Sequence, residues 1–302
     1  MNPLLELKHV NKEYQAVKAV NDVSFKVPAG CIFGLLGPNG AGKTSMIRII
    51  TGITRADSGE VLLNGTNTLN IKDPSIGYMP EERGLYKKMK VGEQLIYLCR
   101  LRGFSKADAE KEVVQWMRKF EIENWWNKKV EELSKGMSQK IQFIATVVHR
   151  PKLIILDEPF SGLDPINSNL IKDEIINLKN QGSSILFSTH RMEQVEEMCE
   201  EIVLINKGKI ILDGKVLDIR ERFKENKFEI ITSEKISDSI IQKYNLVEFA
   251  PLNYSFQIQD LSIIKSRTRE LLQEDISLRS FKELLPTFNQ LFIQIVNQSN
   301  HE

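Results

Sequence analysis

The segment Gly37-Pro38-Asn39-Gly40-Ala41-Gly42-Lys43-Thr44 determines how the rest of this 302-residue sequence is interpreted. It fits the pattern G-x-x-x-x-G-K-[ST], in which glycines let backbone N–H groups converge on a phosphate without a side chain in the way. An apolar stretch, Cys31 to Leu36, precedes it, and a helix-like stretch, Ser45 to Ile50, follows it. This context predicts a phosphate-binding loop, with Lys43 reaching the outer phosphates and Thr44 coordinating magnesium.

A second feature is an apolar strand that ends in two carboxylates, Leu153-Ile154-Ile155-Leu156-Asp157-Glu158-Pro159. Burial ends where such a strand reaches a phosphate site, so Asp157 can support the magnesium shell. Glu158, one residue further, can orient or deprotonate an attacking water. Taken alone, the pattern also fits an acidic turn at a strand end. Beside a phosphate-binding loop it favours a hydrolytic site.

Composition argues against several classes of protein. Lys plus Arg number 41 and Asp plus Glu number 40, so the formal net charge is +1. This balance disfavours a protein that holds nucleic acid or anionic lipid through bulk positive charge. The three cysteines have no paired spacing, which disfavours a disulfide framework or a zinc site and favours a reducing cytosol. No signal-peptide pattern and no apolar run of roughly 18 residues occurs, so no direct membrane insertion is expected.

The glycines divide the chain into two parts. All 17 lie between Gly30 and Gly214. The glycine-containing part alternates strand-like and helix-like stretches, which predicts a mainly parallel sheet with helices on both faces. The glycine-free tail predicts a small α+β module. Its strand-like stretches are Phe228 to Ile231 and Tyr254 to Ile258, and its helix-like stretches are Leu261 to Gln273 and Phe288 to Asn297.

With a third motif between them, Leu133-Ser134-Lys135-Gly136-Met137, the two phosphate-site motifs resemble the ATP-binding cassette (ABC) ATPase family. The match runs from about Leu5 to Gly214 in the family's order. It implies an α/β fold, a P-loop ABC ATPase cassette with a mainly parallel core sheet, antiparallel β and helical subdomains, followed by a small C-terminal α+β domain. The expected domains are a nucleotide-binding domain at 1–218, with a helical subdomain at about 90–150, and an accessory domain at 225–302.

The resemblance implies roles for further residues. Tyr14 aligns with the aromatic residue that stacks on adenine, although a strand-end core tyrosine fits the same position. Ser134 and Gly136 match the signature loop, which in the family contacts the γ-phosphate bound by the opposite subunit. His190 matches the switch histidine that touches the γ-phosphate. The implied nucleotide-binding residues are Tyr14, Gly37, Pro38, Asn39, Gly40, Ala41, Gly42, Lys43, Thr44, Ser45, Ser134 and Gly136.

Three positions depart from the commonest family pattern. Lys135 stands where glycine is common and Met137 where glutamine is common. The lysine fits either a contact to a shared γ-phosphate or a solvated side chain. Glu81 stands where a glutamine usually supplies a neutral oxygen near magnesium and water, so it adds negative charge near ATP. The expected catalytic residues are Glu158, His190 and Glu81, and the expected metal ligands are Thr44, Asp157 and Glu81.

The resemblance also implies partners. One phosphate-binding loop and one signature loop cannot complete a composite site in one chain, so a head-to-tail dimer of cassettes, homodimeric or heterodimeric, is expected with two ATP molecules between them. The expected function is ATP hydrolysis with Mg²⁺ that powers export through separate integral membrane permease subunits. The sequence does not identify the exported substrate, and sodium and a drug are the candidates. The segment Pro80 to Leu95 and helices to about Val130 are the expected permease contact. The expected location is cytoplasmic, peripheral on the cytoplasmic face of the cell membrane.

Two alternative interpretations assign the chain a partner other than a permease. The permease-contact segment is basic with interleaved aromatic residues, a pattern also found in RNA- or lipid-binding patches, but it is short and no nucleic-acid partner is expected. A soluble, non-transport ABC ATPase is the second alternative. A DNA-acting member would need a long coiled-coil insertion, and a translation factor would usually carry two cassettes; the sequence has neither. The basic and aromatic residues are Arg83, Tyr86, Lys87, Lys88 and Lys90.

Overall fold

The computed structural model describes residues 3–15, 17–67, 75–81, 84–274 and 276–301. Arg83 of the predicted basic segment lies outside the described residues. The chain divides into two compact units, Met1–Val216 with Gln298–Glu302 and Leu217–Asn297. Each unit contains a hydrophobic core cluster of its own.

The larger unit contains ten strands and six complete α-helices among its described residues. The strands are β1 (Leu5–Tyr14), β2 (Val17–Val27), β3 (Ile32–Leu36), β4 (Ser58–Leu63), β5 (Thr66–Asn67), β6 (Ile76–Met79), β7 (Leu153–Asp157), β8 (Ser184–Ser188), β9 (Glu201–Asn206) and β10 (Lys209–Lys215). The helices are α1 (Lys43–Ile50), α2 (Val91–Leu101), α3 (Lys106–Lys119), α4 (Lys135–Val147), α5 (Pro165–Asn180) and α6 (Met192–Met198).

The central sheet of this unit has the strand order β10-β9-β3-β8-β7-β6. Its neighbours are parallel except for β10, which pairs antiparallel with β9. Every residue of β3, β7 and β8 is buried, as expected for central parallel strands with both faces covered. A second, antiparallel sheet has the order β2-β1-β4-β5. The predicted α/β class with a mainly parallel core sheet and added antiparallel β structure is confirmed.

The helical part of this unit is interrupted at a glycine. Within the predicted helical subdomain, α2 and α3 are separated at Gly103, whose φ of +93° favours glycine. The hydroxyl of Ser105 then caps α3 by accepting a hydrogen bond from the Asp108 N–H at 3.1 Å. Ring contacts between Phe120 and Phe143, with centroids 5.9 Å apart, pack α3 against α4.

The smaller unit has an antiparallel sheet in the order β12-β13-β11-β14. Phe228, Phe256 and Phe281 stack in its core, with centroid separations of 5.6 to 6.2 Å. Among the described residues of the chain, no helix has the length and apolar character of a membrane span. The remaining elements are α7 (Val216–Arg222), β11 (Lys227–Thr232), α8 (Asp238–Tyr244), β12 (Val247–Ala250), β13 (Asn253–Gln257), α9 (Ile264–Gln273), β14 (Leu278–Leu284) and α10 (Phe288–His301).

Candidate active site

The loop between β3 and α1 is shaped by two glycines that no other residue could replace without a backbone shift. Gly37 has a φ of +152°, and a Cβ there would lie 2.2 Å from the Ile205 carbonyl oxygen. Gly42 has a φ of +110°, and a Cβ there would lie 2.1 Å from the Ala19 carbonyl oxygen. Gly42 is also the N-cap of α1, so the unpaired N–H groups of the first helical turn open toward the loop. This is a favourable arrangement for an anion.

Lys43 folds back over this loop. Its Nζ donates to the carbonyl oxygens of Gly37 at 2.7 Å and Pro38 at 3.1 Å. Burial lowers the pKa of the Lys43 ammonium, and the negative charges of three nearby carboxylates act against that shift. The cation is therefore held among acidic groups at the loop, where a phosphate can compete for it.

A cavity of about 420 Å³ beside the loop brings most of the predicted residues together. Tyr14, Gly37, Pro38, Ser134 and Gly136 do not line it. The predicted residues in its wall are Asn39, Gly40, Ala41, Gly42, Lys43, Thr44, Ser45, Glu81, Asp157, Glu158 and His190. The wall residues that sequence reasoning missed are Val17, Lys18, Ala19, Lys207 and Gly208.

The missed residues come from two β connections. Val17, Lys18 and Ala19 lie at the start of β2, and Lys207 and Gly208 form the turn between β9 and β10. Gly208 has a φ of +77°, so the Lys-Gly pair could have been recognised as a tight turn. Nothing local in the sequence indicates that this turn faces the phosphate-binding loop. Lys18 and Lys207 add two cations to the cavity wall.

Three carboxylates face the cavity from two strand ends. Burial raises the pKa of the Asp157 carboxyl, and the negative charges of Glu81 and Glu158 act in the same direction. Carboxylate and hydroxyl oxygens, here including Thr44, suit Mg²⁺, which proteins usually hold with one or two carboxylates plus substrate phosphates. In the described part of the chain, no three His, Cys, Asp or Glu residues form a metal cage by themselves. The donor set therefore fits Mg²⁺ in combination with a nucleotide.

The Glu158 carboxylate is held by the residues that follow β8. The backbone N–H of His190 donates to Glu158 Oε1 at 2.8 Å, and the imidazole Nδ1 lies 2.7 Å from the same oxygen. Thr189 Oγ1 lies 3.2 Å from Glu158 Oε2. The Glu158 side chain is 12% exposed, so these contacts fix its orientation at the cavity wall. A carboxylate with an orienting partner is the arrangement a general base needs.

The predicted residues outside this cavity lie at two other places. Tyr14, at the end of β1, is 40% exposed, and Lys12 Nζ is 5.4 Å from its ring centroid. Ser134 is the N-cap of α4, and its hydroxyl accepts a hydrogen bond from the Met137 N–H at 3.2 Å. Ser134 and Gly136 are thus placed at a helix N-terminus, and neither lines the cavity.

Comparisons with known proteins agree with this geometry. A family model described as ABC transporter matches residues 20–161. The uncharacterized ABC transporter ATP-binding protein YhaQ of Bacillus subtilis is 42% identical over 298 residues, 97% of this chain and 98% of YhaQ. The linearmycin resistance ATP-binding protein LnrL of Bacillus subtilis is 28% identical over 309 residues, 98% of this chain and 99% of LnrL.

A solved structure, described as the ATP-binding subunit of an ABC transporter, aligns with a TM-score of 0.69 and 32% identity. The alignment covers 73% of this chain and 93% of that chain. The family predicted from the three motifs is confirmed. Similarity along almost the whole length of YhaQ and a shared cassette fold place the chain among the ABC transporter ATP-binding proteins, a family of ATPases coupled to transport.

Proposed function

We propose that this chain is the ATP-hydrolysing subunit of an ABC exporter and that it works with Mg²⁺ and separate integral membrane permease subunits. The observation that carries the proposal is the cavity that joins the phosphate-binding loop, Lys43, Asp157 and the oriented carboxylate of Glu158. These are the groups that binding and hydrolysing a nucleoside triphosphate require. With a permease as partner, the chain would lie on the cytoplasmic face of the cell membrane.

Each residue has a distinct part in the proposed reaction. The loop N–H groups and Lys43 bind and orient the phosphates. Thr44, Asp157 and Glu81 would hold Mg²⁺, whose charge neutralises phosphate oxygens. Glu158 accepts a proton from the attacking water, and His190 keeps the carboxylate aimed at that water through the contacts at Oε1.

A head-to-tail dimer of cassettes is the proposed working unit. Ser134 and Gly136 lie at the N-terminus of α4 and outside the chain's own cavity, so they are available to the nucleotide of a second cassette. ATP would then stabilise only the closed state of the dimer, and hydrolysis would release it. Whether the second cassette is a copy of this chain or a related chain is tested by sedimentation of the purified protein with ATP.

Export of a drug is the substrate class favoured over sodium, because the relative LnrL carries linearmycin resistance in its name and matches the chain over nearly all its length. The test of the function as a whole is purification of the chain from the membranes of its native cells. Co-purification with an integral membrane protein is expected. Co-sedimentation with ribosomes instead would favour the soluble, non-transport alternative.

A groove of about 820 Å³ in the larger unit is the proposed docking place for the permease. Its wall includes Pro80, Leu85 and Leu98, and its exposed apolar residues Ile53 and Leu101 are 62% and 63% exposed. Exposed side chains of this kind, next to Glu81 of the nucleotide site, are typical of an interaction surface. A helix of the membrane partner with an apolar face would fit it.

Leu101→Glu is expected to reduce co-purification with the permease by about tenfold or more, because the change places a charge in an apolar contact. ATP hydrolysis by the isolated protein should stay unchanged. The matched control is Ile166→Glu, since Ile166 is 82% exposed on α5 and does not line the groove. Equal co-purification of the Leu101 and Ile166 variants would contradict the docking surface.

Glu81→Gln is expected to make hydrolysis less dependent on magnesium, because the amide oxygen can still coordinate the ion while the change removes a negative charge that repels the nucleotide phosphates. The variant should retain a larger fraction of its maximal rate at limiting Mg²⁺ than the wild-type protein does. Steady-state rates across a magnesium titration measure this fraction. Glu110→Gln, an exposed change on α3, is the control. An unchanged magnesium dependence in Glu81→Gln would refute the role of Glu81.

A further inference from the structure

Helix α4 carries two buried glutamines that the proposed reaction does not use. Gln139 and Gln142 lie three residues apart on this helix and are 5% and 3% exposed. A buried amide is costly unless it forms hydrogen bonds. Both glutamines direct their amide NH₂ group away from the helix, to backbone carbonyls of the nucleotide site.

Gln139 binds the main chain of the proposed general base. Its Nε2 donates to the carbonyl oxygen of Pro159 at 2.8 Å and to that of Glu158 at 3.3 Å. Glu158 has a φ of +50°, a left-handed conformation that is unfavourable for a residue with a Cβ. Such a conformation persists where the surroundings fix it, and Gln139 together with the Ser161 N–H, 3.1 Å from the Glu158 carbonyl, does so.

Gln142 makes the equivalent bond at the other acidic strand end. Its Nε2 donates to the carbonyl oxygen of Pro80 at 2.7 Å. Pro80 directly precedes Glu81, whose side chain lines the cavity. The two glutamines therefore fix the backbone at, or one residue before, two of the three carboxylates of the site.

A third contact ties the start of α4 to the same region. The alkyl chain of Lys135 lies across Gly162, because a Cβ on Gly162 would be 2.4 Å from both Lys135 Cδ and Cε. Gly162 belongs to the turn that follows Glu158. Lys135, Gln139 and Gln142 thus connect one helix to the nucleotide site at three points.

We propose that Gln139 and Gln142 are positioning residues that make the geometry of Glu158 and Glu81 depend on the position of α4. This inference rests on the proposed head-to-tail dimer, in which the N-terminus of α4 meets the nucleotide bound by the other cassette. Binding at that nucleotide moves or stiffens α4, and the glutamines pass the change to the acidic residues of the chain's own site. The two sites of the dimer are coupled through this helix.

The test uses Gln139→Met and Gln142→Met in the full-length protein, since methionine has a similar length and no donor. Each variant is expected to lose about tenfold to a hundredfold in kcat, because Gln139→Met misplaces the base Glu158 and Gln142→Met misplaces the metal ligand Glu81. The affinity for a fluorescent ATP analogue should change by less than about threefold. The Hill coefficient for ATP should fall toward one. Gln139→His, which restores a ring N–H donor at similar reach, should recover part of the lost kcat.

Thr146→Val is the matched control on the same helix. Thr146 is 5% exposed, and its hydroxyl donates to the Gln142 carbonyl at 2.8 Å, so the change removes a buried hydrogen bond without touching either acidic strand end. The control is expected to lower thermal stability and to keep kcat and the Hill coefficient. A wild-type kcat in both methionine variants, or an equal loss in Thr146→Val, overturns the inference.

Two measurements distinguish failure of this inference from misfolding of a variant and from failure of the proposed function. Nucleotide binding identifies variants that fold, and if Gln139→Met fails to bind, Gln142→Met carries the test because it contacts a different strand end. Wild-type protein without ATPase activity would overturn the proposed function itself. Wild-type activity with a Hill coefficient of one would overturn only the coupling between sites.

Discussion

Glu158→Gln is expected to bind ATP and to hydrolyse it about 10²- to 10⁴-fold more slowly than the wild-type protein, the range contributed by a general base. The amide has the shape of the carboxylate, and its oxygen can still accept the His190 N–H bond that Glu158 Oε1 accepts at 2.8 Å. Its NH₂ group can donate to Thr189 Oγ1, which lies 3.2 Å from Oε2. The change therefore removes charge and basicity while leaving the network in place.

Phosphate release measures the hydrolysis rate of this variant, and titration with a fluorescent ATP analogue measures its binding. Binding should be equal or tighter, because one negative charge near the phosphates is lost. In the proposed dimer, ATP should also hold Glu158→Gln in the dimeric state, which sedimentation detects. Glu193→Gln, an exposed change on α6, is the matched control. A Glu158→Gln variant that binds ATP and turns it over normally would falsify the assignment of the base.

The buried central strands were predictable because each corresponds to a continuous apolar run in the sequence. The apolar run Leu153 to Leu156 became β7, which extends one residue further, to Asp157, and the apolar stretch Cys31 to Leu36 became β3, which begins one residue later, at Ile32. Strands buried on both faces read as continuous apolar runs between turn residues. In the tail, the stretches from Phe228 and from Tyr254 became β11 and β13 with shifts of about one residue at each end.

The edge strands were not predicted because their hydrophobic pattern is weak or because they form only by pairing with a neighbouring strand. β10 is mostly exposed or half-buried, and its apolar run is only three residues long, Ile210 to Leu212, before Asp213 and Gly214. It exists because the turn after β9 folds it back into antiparallel register. β14 is an edge strand without a fully buried residue, and β6 has only four residues. Such strands are stabilised by their neighbours rather than by local propensity.

The candidate site also has parts that local sequence patterns predict and parts that depend on contacts between distant residues. The phosphate-binding loop and the acidic strand end are local patterns, so both could be predicted from residue spacing alone. The contacts that orient Glu158 are not local. β7 and β8 pair in parallel with Asp157 opposite Ser188, and this register places Thr189 and His190 beside Glu158. Gln139 reaches the same residue from a helix, which no pattern along the chain could indicate.

Lys43→Met is expected to weaken ATP binding by about 10- to 150-fold, from the loss of charge-assisted hydrogen bonds of about 1.5–3 kcal/mol. Lys43 is the cation whose Nζ lies against the phosphate-binding loop, 2.7 Å from the Gly37 carbonyl oxygen. It also balances the three carboxylates that face the cavity. Removing the Lys43 charge therefore eliminates its attraction to the ATP phosphates and leaves acidic groups that repel those phosphates.

Comparison of ATP with AMP distinguishes this effect from a general loss of folding. Lys43 reaches the outer phosphates, so the affinity for AMP, which lacks them, should change by less than about threefold in Lys43→Met. Lys43→Arg keeps the charge but must fit a broader group beside the Gly37 and Pro38 carbonyls, and an intermediate ATP affinity is expected. Lys215→Met, at the exposed end of β10, serves as the control. Equal losses for ATP and AMP in Lys43→Met would mean that the loop, rather than the lysine charge, had been disturbed, because only the charge discriminates between one phosphate and three.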